Sequence, residues 1–69
     1  PSFNALRLMG DVCLANGLIG QAKKYYDQSL NITESALAYI SLANICLKDK
    51  DQNGAIESYK KGFHVLSST

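Results

Sequence analysis

The sequence matches itself when it is shifted so that Ala5 falls on Ala38. Under this shift, called the repeat shift, identical residues coincide at several pairs of positions, among them Ala5 with Ala38, Cys13 with Cys46, Leu14 with Leu47, Ala22 with Ala55, and Tyr26 with Tyr59. The matching positions are apolar or small, whereas polar positions differ freely. Self-similarity at a fixed period is typical of repeat architectures, so the chain is predicted to contain two copies of one packing unit.

Each unit is predicted to contain two helices, because apolar residues recur at three- and four-residue steps. In the first helix these are Leu6, Met9, Val12 and Cys13, and Asn16-Gly17 is expected to end the helix, since glycine commonly follows a helix C-terminus. The other three helices are predicted over about Gly20 to Leu30, Ser35 to Leu47 and Asn53 to Val65. No strand pattern is present, so the predicted fold is all-α.

The connections contain residues suited to helix ends. Thr33 or Ser35 can cap the third helix, because a side-chain oxygen at this position accepts from a free backbone N–H. Lys48 to Asp51 is predicted to be a charged turn, with Asp51 near the positive end of the fourth helix.

Small residues recur where the two helices of each unit are expected to cross. These are Gly10, Ala22, Ala43 and Ala55, and two small residues facing each other allow helix axes to approach to about 8 Å. Larger side chains are expected to close the core around them: Leu6, Met9, Tyr26 and Leu30 in the first unit, and Tyr39, Leu42, Ile56, Tyr59 and Phe63 in the second.

Two segments carry a family pattern. One reads Leu6-x-x-Met9-Gly10-x-x-Cys13 and later Ala22-x-x-x-Tyr26, and the other reads Tyr39-x-x-Leu42-Ala43-x-x-Cys46 and later Ala55-x-x-x-Tyr59. This order resembles the tetratricopeptide repeat, in which a large apolar residue, Leu-Gly, an aromatic residue and Ala-x-x-x-aromatic follow at fixed spacings. The resemblance covers nearly the whole chain.

The chain departs from the family pattern at a few places. Cys13 and Cys46 replace an aromatic residue, and Glu34 and Ser67 stand where proline is frequent. The period is also one residue shorter than the family's usual repeat. The resemblance implies two stacked antiparallel helix-turn-helix hairpins, an α-solenoid arrangement. It also implies one domain over residues 1–69, with repeats at about 3–34 and 35–68.

The resemblance further implies a protein-interaction and scaffolding module within a larger array of repeats. In this family the first helix of each hairpin lines a groove that binds a peptide or a helix. The corresponding residues here are Asn4, Arg7, Leu8, Asp11, Leu14 and Ala15 in the first unit, and Leu37, Ile40, Ser41, Asn44, Leu47 and Lys48 in the second. Only Arg7 suits a carboxylate clamp, so no such clamp is expected.

Two other uses of these surfaces stay open. The apolar residues can pack against further repeats, or against a second copy of the chain in structural self-assembly. No enzyme, cofactor or metal site is expected, since His64 is the only histidine and has no ligand at metal-binding spacing. Asp49 and Asp51 lie among lysines in the charged turn, and no nucleophile has a recognisable catalytic base.

Charge and hydropathy exclude other classes of partner. Seven basic and six acidic residues give a net charge of +1, which does not favour binding to nucleic acid or an anionic membrane. The apolar runs are far shorter than the roughly 20 residues of a membrane span. Cys13 and Cys46 are too few for a disulfide scaffold and are expected to be small buried residues, so we expect an intracellular protein, cytoplasmic or nuclear.

Overall fold

The computed structural model describes residues 2–68 and consists of four helices. They are α1 (Phe3–Ala15), α2 (Ile19–Ile32), α3 (Ala36–Lys48) and α4 (Gln52–Ser67). No strand occurs among the described residues, so the all-α prediction is confirmed. The predicted helix ends differ from the observed ends by no more than a few residues, which is ordinary because helix ends fray.

The helices form two compact units, one ending at Glu34 and the other beginning at Ser35. In the first, Ser29 Oγ donates a hydrogen bond of 2.7 Å to the carbonyl of Phe3 at the start of α1. Tyr26 contacts α1 further along, where its hydroxyl donates to Asp11. A later residue of α2 thus contacts the start of α1, and an earlier residue of α2 contacts a later part of α1. The two helices therefore run antiparallel and form a hairpin.

The second unit has the same arrangement. Gly62 on α4 lies beside Ala36 at the start of α3, because a Cβ built at Gly62 would be 3.5 Å from the Ala36 carbonyl oxygen. Tyr59, nearer the start of α4, donates to Asn44 further along α3. Each unit is thus an antiparallel hairpin, as the sequence pattern predicts.

Serines cap the first helix of each hairpin in the same way. Ser2 Oγ accepts from the N–H of Ala5 at 3.1 Å, and Ser35 Oγ accepts from the N–H of Ala38 at 3.5 Å. The repeat shift places Ser2 on Ser35. Of the two predicted capping residues, Thr33 and Ser35, the structure uses Ser35.

The turn that follows α1 closes with a left-handed glycine. Gly17 has φ of 78°, and its N–H donates to the carbonyl of Leu14 at 3.1 Å. The next N–H, of Leu18, donates to the carbonyl of Cys13 at 2.8 Å. These two bonds form a Schellman motif, which satisfies carbonyls at the end of the helix. Leu18 then precedes α2 without offering a side-chain cap.

The turn that follows α3 repeats the motif with a lysine in the glycine position. Lys50 has φ of 61°, its N–H donates to Leu47, and the N–H of Asp51 donates to Cys46 at 2.8 Å. Asp51 also caps α4, because its Oδ1 accepts from the N–H of Gly54 at 3.0 Å. A non-glycine residue in this conformation is uncommon and is disfavoured by its Cβ.

The four small residues are all buried, as predicted: Gly10, Ala22, Ala43 and Ala55. Among these four residues, Gly10 has the tightest contact with the neighbouring helix, because a Cβ there would lie 2.7 Å from Cε1 of Tyr26. The Tyr26 ring therefore packs directly on the α1 backbone and is fully buried. The small residue on α1 makes room for the aromatic ring on α2.

The prediction for the buried face of α4 is wrong. Ile56, Tyr59 and Phe63 were expected in the core, but they are 52%, 39% and 71% exposed. The buried or half-buried positions are instead the neighbouring row, at Ala55, Ser58, Gly62 and Val65. Small side chains in this row bring α4 close to α3, with a Cβ at Gly62 placed 3.4 Å from the Cβ of Tyr39. The larger residues Ile56, Tyr59 and Phe63 lie beside this row, on the exposed side of α4.

The first prediction concerns the two matching turns. Lys50→Gly relieves the left-handed strain, and we expect it to raise the free energy of unfolding by about 0.5–1 kcal/mol, whereas Gly17→Ala lowers it by about 1 kcal/mol or more. Urea titration of both variants measures the change. Lys48→Gly is the control, because a glycine inside the last turn of α3 destabilises. A Lys50→Gly variant no more stable than the parent contradicts the prediction.

The second prediction uses Ser29 and Gly62, which occupy the same position in the two repeats. A Cβ at Gly62 meets its neighbours at 3.4 Å or more, so a side chain fits there. In Gly62→Ser the hydroxyl is expected to donate to Ala36, as Ser29 donates to Phe3, and to raise the free energy of unfolding by about 1 kcal/mol.

Gly62→Ala separates the two contributions to that gain, because alanine raises helix propensity without a hydroxyl. Serine has the lower propensity of the two, so thermal unfolding should show Gly62→Ser at least as stable as Gly62→Ala if the hydrogen bond forms. A serine variant that melts well below the alanine variant argues that no such bond is made.

Candidate protein-binding faces

The predicted binding residues lie on one helix in each hairpin. The α1 face consists of Asn4, Arg7, Asp11 and Leu14, and the α3 face consists of Leu37, Ile40, Ser41, Asn44, Leu47 and Lys48. Each of these residues is exposed or half-buried, so each retains some contact with solvent. The assignment of either face to binding stays a prediction.

The α1 face carries a polar network that is closed within the hairpin. Arg7 Nη1 is 3.2 Å from Asp11 Oδ2, and Arg7 Nη2 donates to Asn4 Oδ1 at 3.5 Å. The side chains of Arg7 and Asp11 are 19% and 41% exposed. A pair this close to solvent contributes little to stability. Its consequence is that the Arg7 guanidinium is already paired within its own helix, so a partner's carboxylate would have to compete with Asp11 for it.

The α3 face is largely apolar. Leu37 is 57% exposed, Ile40 is 36% exposed and Leu47 is 48% exposed. At 1.5 Å per residue, the ten steps from Leu37 to Leu47 correspond to about 15 Å along the helix. Asn44 lies between the apolar positions and is exposed, and Lys48 follows at the end of α3.

A tyrosine on the second helix anchors a polar residue of the first helix in both hairpins. The Tyr26 hydroxyl donates to Asp11 Oδ1 at 2.5 Å, and the Tyr59 hydroxyl donates to Asn44 Oδ1 at 2.7 Å. Both bonds span 15 residues and are related by the repeat shift. Each bond fixes one face residue and ties the two helices together.

These two bonds are not evident from the sequence. The repeat pattern predicts Tyr26 and Tyr59 as core residues, and the family resemblance assigns Asp11 and Asn44 to binding without giving them partners. The available signal was that the repeat shift also aligns Asp11 with Asn44, both of which have a side-chain oxygen that accepts from a hydroxyl.

An apolar cleft opens on the first hairpin, away from its polar network. It has a volume of about 260 Å³ and is lined by Leu8, Met9, Val12, Cys13 and Tyr25. Met9 was predicted to lie in the core and is 45% exposed, while Leu8 and Val12 are 53% and 62% exposed. The prediction of two buried cysteines is also too strong, because Cys13 and Cys46 are free and only half-buried.

The described residues show no arrangement for metal chemistry. Between residues 2 and 68, no three or more histidine, cysteine, aspartate or glutamate side chains come together in a way that could hold an ion. Within the same range, no helix combines the length and the apolar character needed to cross a membrane.

A comparison with known families matches both hairpins. The family model described as Tetratricopeptide repeat matches residues 4–35 and again residues 36–63. The chain therefore belongs to the tetratricopeptide repeat family and contains two tandem repeats. Repeats of this family are generally modules for protein–protein interaction and are not catalytic. No curated protein and no solved structure matches the chain significantly.

The third prediction separates the two tyrosine bonds. Tyr26→Phe removes the hydrogen bond that the Tyr26 hydroxyl donates to the charged Asp11 side chain, and we expect it to lower the free energy of unfolding by about 1.5–3 kcal/mol. Tyr59→Phe removes a bond to a neutral, exposed amide and should cost about 0.5–1.5 kcal/mol. Denaturant unfolding of the two variants compares these costs. The opposite order of stability contradicts the assigned roles.

Proposed function

We propose that this chain is a protein-binding module that receives a segment of a partner protein on the exposed faces of α1 and α3. The α3 face is the observation that supports the proposal most directly. Leu37, Ile40 and Leu47 lie exposed along a single helix, although their hydrophobic surface favours burial. Contiguous exposed apolar surface commonly indicates an interaction site.

Apolar contact, more than charge, would provide the affinity. Burial stabilises by about 25 cal/mol per Å² of apolar surface, so three aliphatic side chains can contribute several kcal/mol before the costs of association. The α1 face contributes little charge, because Arg7 is paired with Asp11. Asp11 and Asn44 are held by tyrosines and therefore present fixed polar positions to a partner.

The wider setting of the module is proposed from the family resemblance. We propose that the chain functions as a scaffold within a longer array of repeats, since small repeat units bury more apolar surface when neighbours stack on them. The single-domain assignment for residues 1–69 and the intracellular location, cytoplasmic or nuclear, also remain predictions from the sequence.

A second candidate function is structural self-assembly. The observation that favours it is the apolar row on α4, formed by Ile56, Tyr59, Phe63 and Leu66, in which Phe63 is 71% exposed. Sedimentation of the purified chain distinguishes the two candidates. A stable monomer favours binding to another protein, whereas a dimer whose proportion rises with concentration favours self-assembly.

The fourth prediction tests the α3 face with a charge placed at its centre. Ile40→Asp should weaken capture of a partner by tenfold or more, because a carboxylate would have to be buried against apolar side chains. Ile32→Asp is the matched control, since it makes the same change at the end of α2, at a residue that is 54% exposed and belongs to neither proposed surface. Pull-down with each variant as bait, followed by titration of the captured protein, measures the loss.

Thermal unfolding of both variants must first show that the hairpins remain folded. Equal capture by the Ile40→Asp variant and the parent chain would remove the α3 face from the proposal. Equal losses in both variants would point to a general effect of the added charge.

A further inference from the structure

We propose that two copies of this chain bind head to tail, with the apolar row on α4 of one copy entering the apolar cleft on the first hairpin of the next. This inference specifies the geometry of the self-assembly candidate. It uses neither the α1 face nor the α3 face, so it can fail without affecting the proposed binding of a partner protein.

The first helices of the two hairpins differ in burial at equivalent positions. On α3, Ala38 and Ile45 are fully buried. The repeat shift places Ala5 and Val12 of α1 on these positions, and both are exposed, Val12 by 62%. Ala5 and Ala38 are the same residue type and are each the third residue of their helix, so residue type does not explain the difference. The first hairpin therefore leaves open a row whose equivalent on the second hairpin is buried.

The second helices differ in the opposite sense. Tyr26 on α2 is fully buried, whereas its equivalent on α4, Tyr59, is 39% exposed. Leu30 is half-buried, whereas its equivalent, Phe63, is 71% exposed. Here the open surface belongs to the second hairpin. The chain thus buries one copy of each kind of surface and leaves the other copy of each kind open.

This asymmetry favours a second copy of the chain as the occupant of both open surfaces. Each open surface is the repeat equivalent of one that the same sequence buries, so both have a residue pattern suited to burial. Every added copy also supplies one surface of each kind. Burial of both is favourable because their exposed side chains are mainly apolar.

Phe63 is the side chain expected to anchor the contact. It is the most exposed large apolar residue in the part of the chain that the structure describes. The cleft has a volume of about 260 Å³, and none of its lining residues, which include Val12, is charged. Aromatic side chains that enter apolar pockets commonly provide most of the binding energy of an interface.

The two surfaces are different and lie on different hairpins, so the contact is heterologous. Binding at one surface leaves the other free, and such contacts extend into longer assemblies unless they close into a ring. Each surface is small compared with the roughly 20–30 residues per side of a standard interface. We therefore expect a weak association that becomes visible at about 0.1–1 mM protein.

Two complementary variants of the 69-residue chain test this inference. Phe63→Asp disables the row on α4 and leaves the cleft intact, whereas Val12→Asp disables the cleft and leaves the row intact, because burying a carboxylate against apolar side chains is costly. Ile32→Asp is the control, since Ile32 is 54% exposed and belongs to neither surface. Circular dichroism first establishes that all three variants are folded, and sedimentation velocity up to about 1 mM then measures their assembly.

The parent chain and Ile32→Asp are expected to form species larger than a dimer as the concentration rises. Phe63→Asp and Val12→Asp should each remain monomeric alone. An equimolar mixture of these two variants should form a one-to-one heterodimer and nothing larger, because the mixture contains one working cleft and one working row for each pair of chains.

Other outcomes overturn the inference in distinguishable ways. A dimer of Val12→Asp alone would show that the row on α4 pairs with itself, and a dimer of Phe63→Asp alone would show the same for the cleft. A mixture that stays monomeric would exclude contact between the two surfaces. A parent chain that is monomeric at every concentration would overturn self-assembly altogether, while the capture experiment with Ile40→Asp would still decide the role of the α3 face.

Discussion

Close approach at small side chains is the constraint on which each hairpin depends. Gly10 allows the Tyr26 ring to lie against the α1 backbone, because even one added carbon would come within 2.7 Å of it. In the second hairpin Gly62 lies against the start of α3 less tightly, since a Cβ there would meet its neighbours at 3.4 Å or more. This proximity places the tyrosine hydroxyls within reach of Asp11 and Asn44, so the polar links between helices follow from the packing beneath them.

The same packing determines which side chains are left for function. On α4 the close contact is made by the row that contains Ala55 and Gly62, so the neighbouring row of large residues is exposed. On α3 the small residue Ala43 is buried, whereas Leu37 and Ile40 are exposed to solvent. Because small residues make the close contacts between helices, large apolar residues are left exposed. This exposed apolar surface supports the proposed role in binding.

Local signals in the sequence predicted much of the fold. Periodicity located the four helices, and Gly17, Ser35 and Asp51 marked helix ends that the structure confirms. Periodicity failed on α4, because two adjacent rows, through Ala55 and through Ile56, are both plausible core faces and side-chain size alone favoured the wrong one. It also missed Lys50, since nothing in a lysine signals a left-handed turn; only its alignment with Gly17 does so.

The side-chain contacts on the faces proposed for binding were harder to predict than the hairpins. Residue type and the family resemblance placed Arg7, Asp11 and Asn44 on them, but not the internal bonds that occupy these side chains. Those bonds depend on distances between helices, which a linear pattern does not encode. They change the chemistry expected of the surface, because a neutralised arginine and an anchored amide offer fewer contacts than their sequence suggests.

The correspondence of Asp11 with Asn44 in the two repeats separates the joint between helices from the surface around it. Both residues have an oxygen that accepts from a tyrosine hydroxyl, whereas Asn4 and Arg7 correspond to Leu37 and Ile40. Beside the same tyrosine bond, one hairpin therefore has polar side chains and the other has aliphatic ones. The character of the surface can thus be exchanged by substitution without removing the bond that links the two helices beneath it.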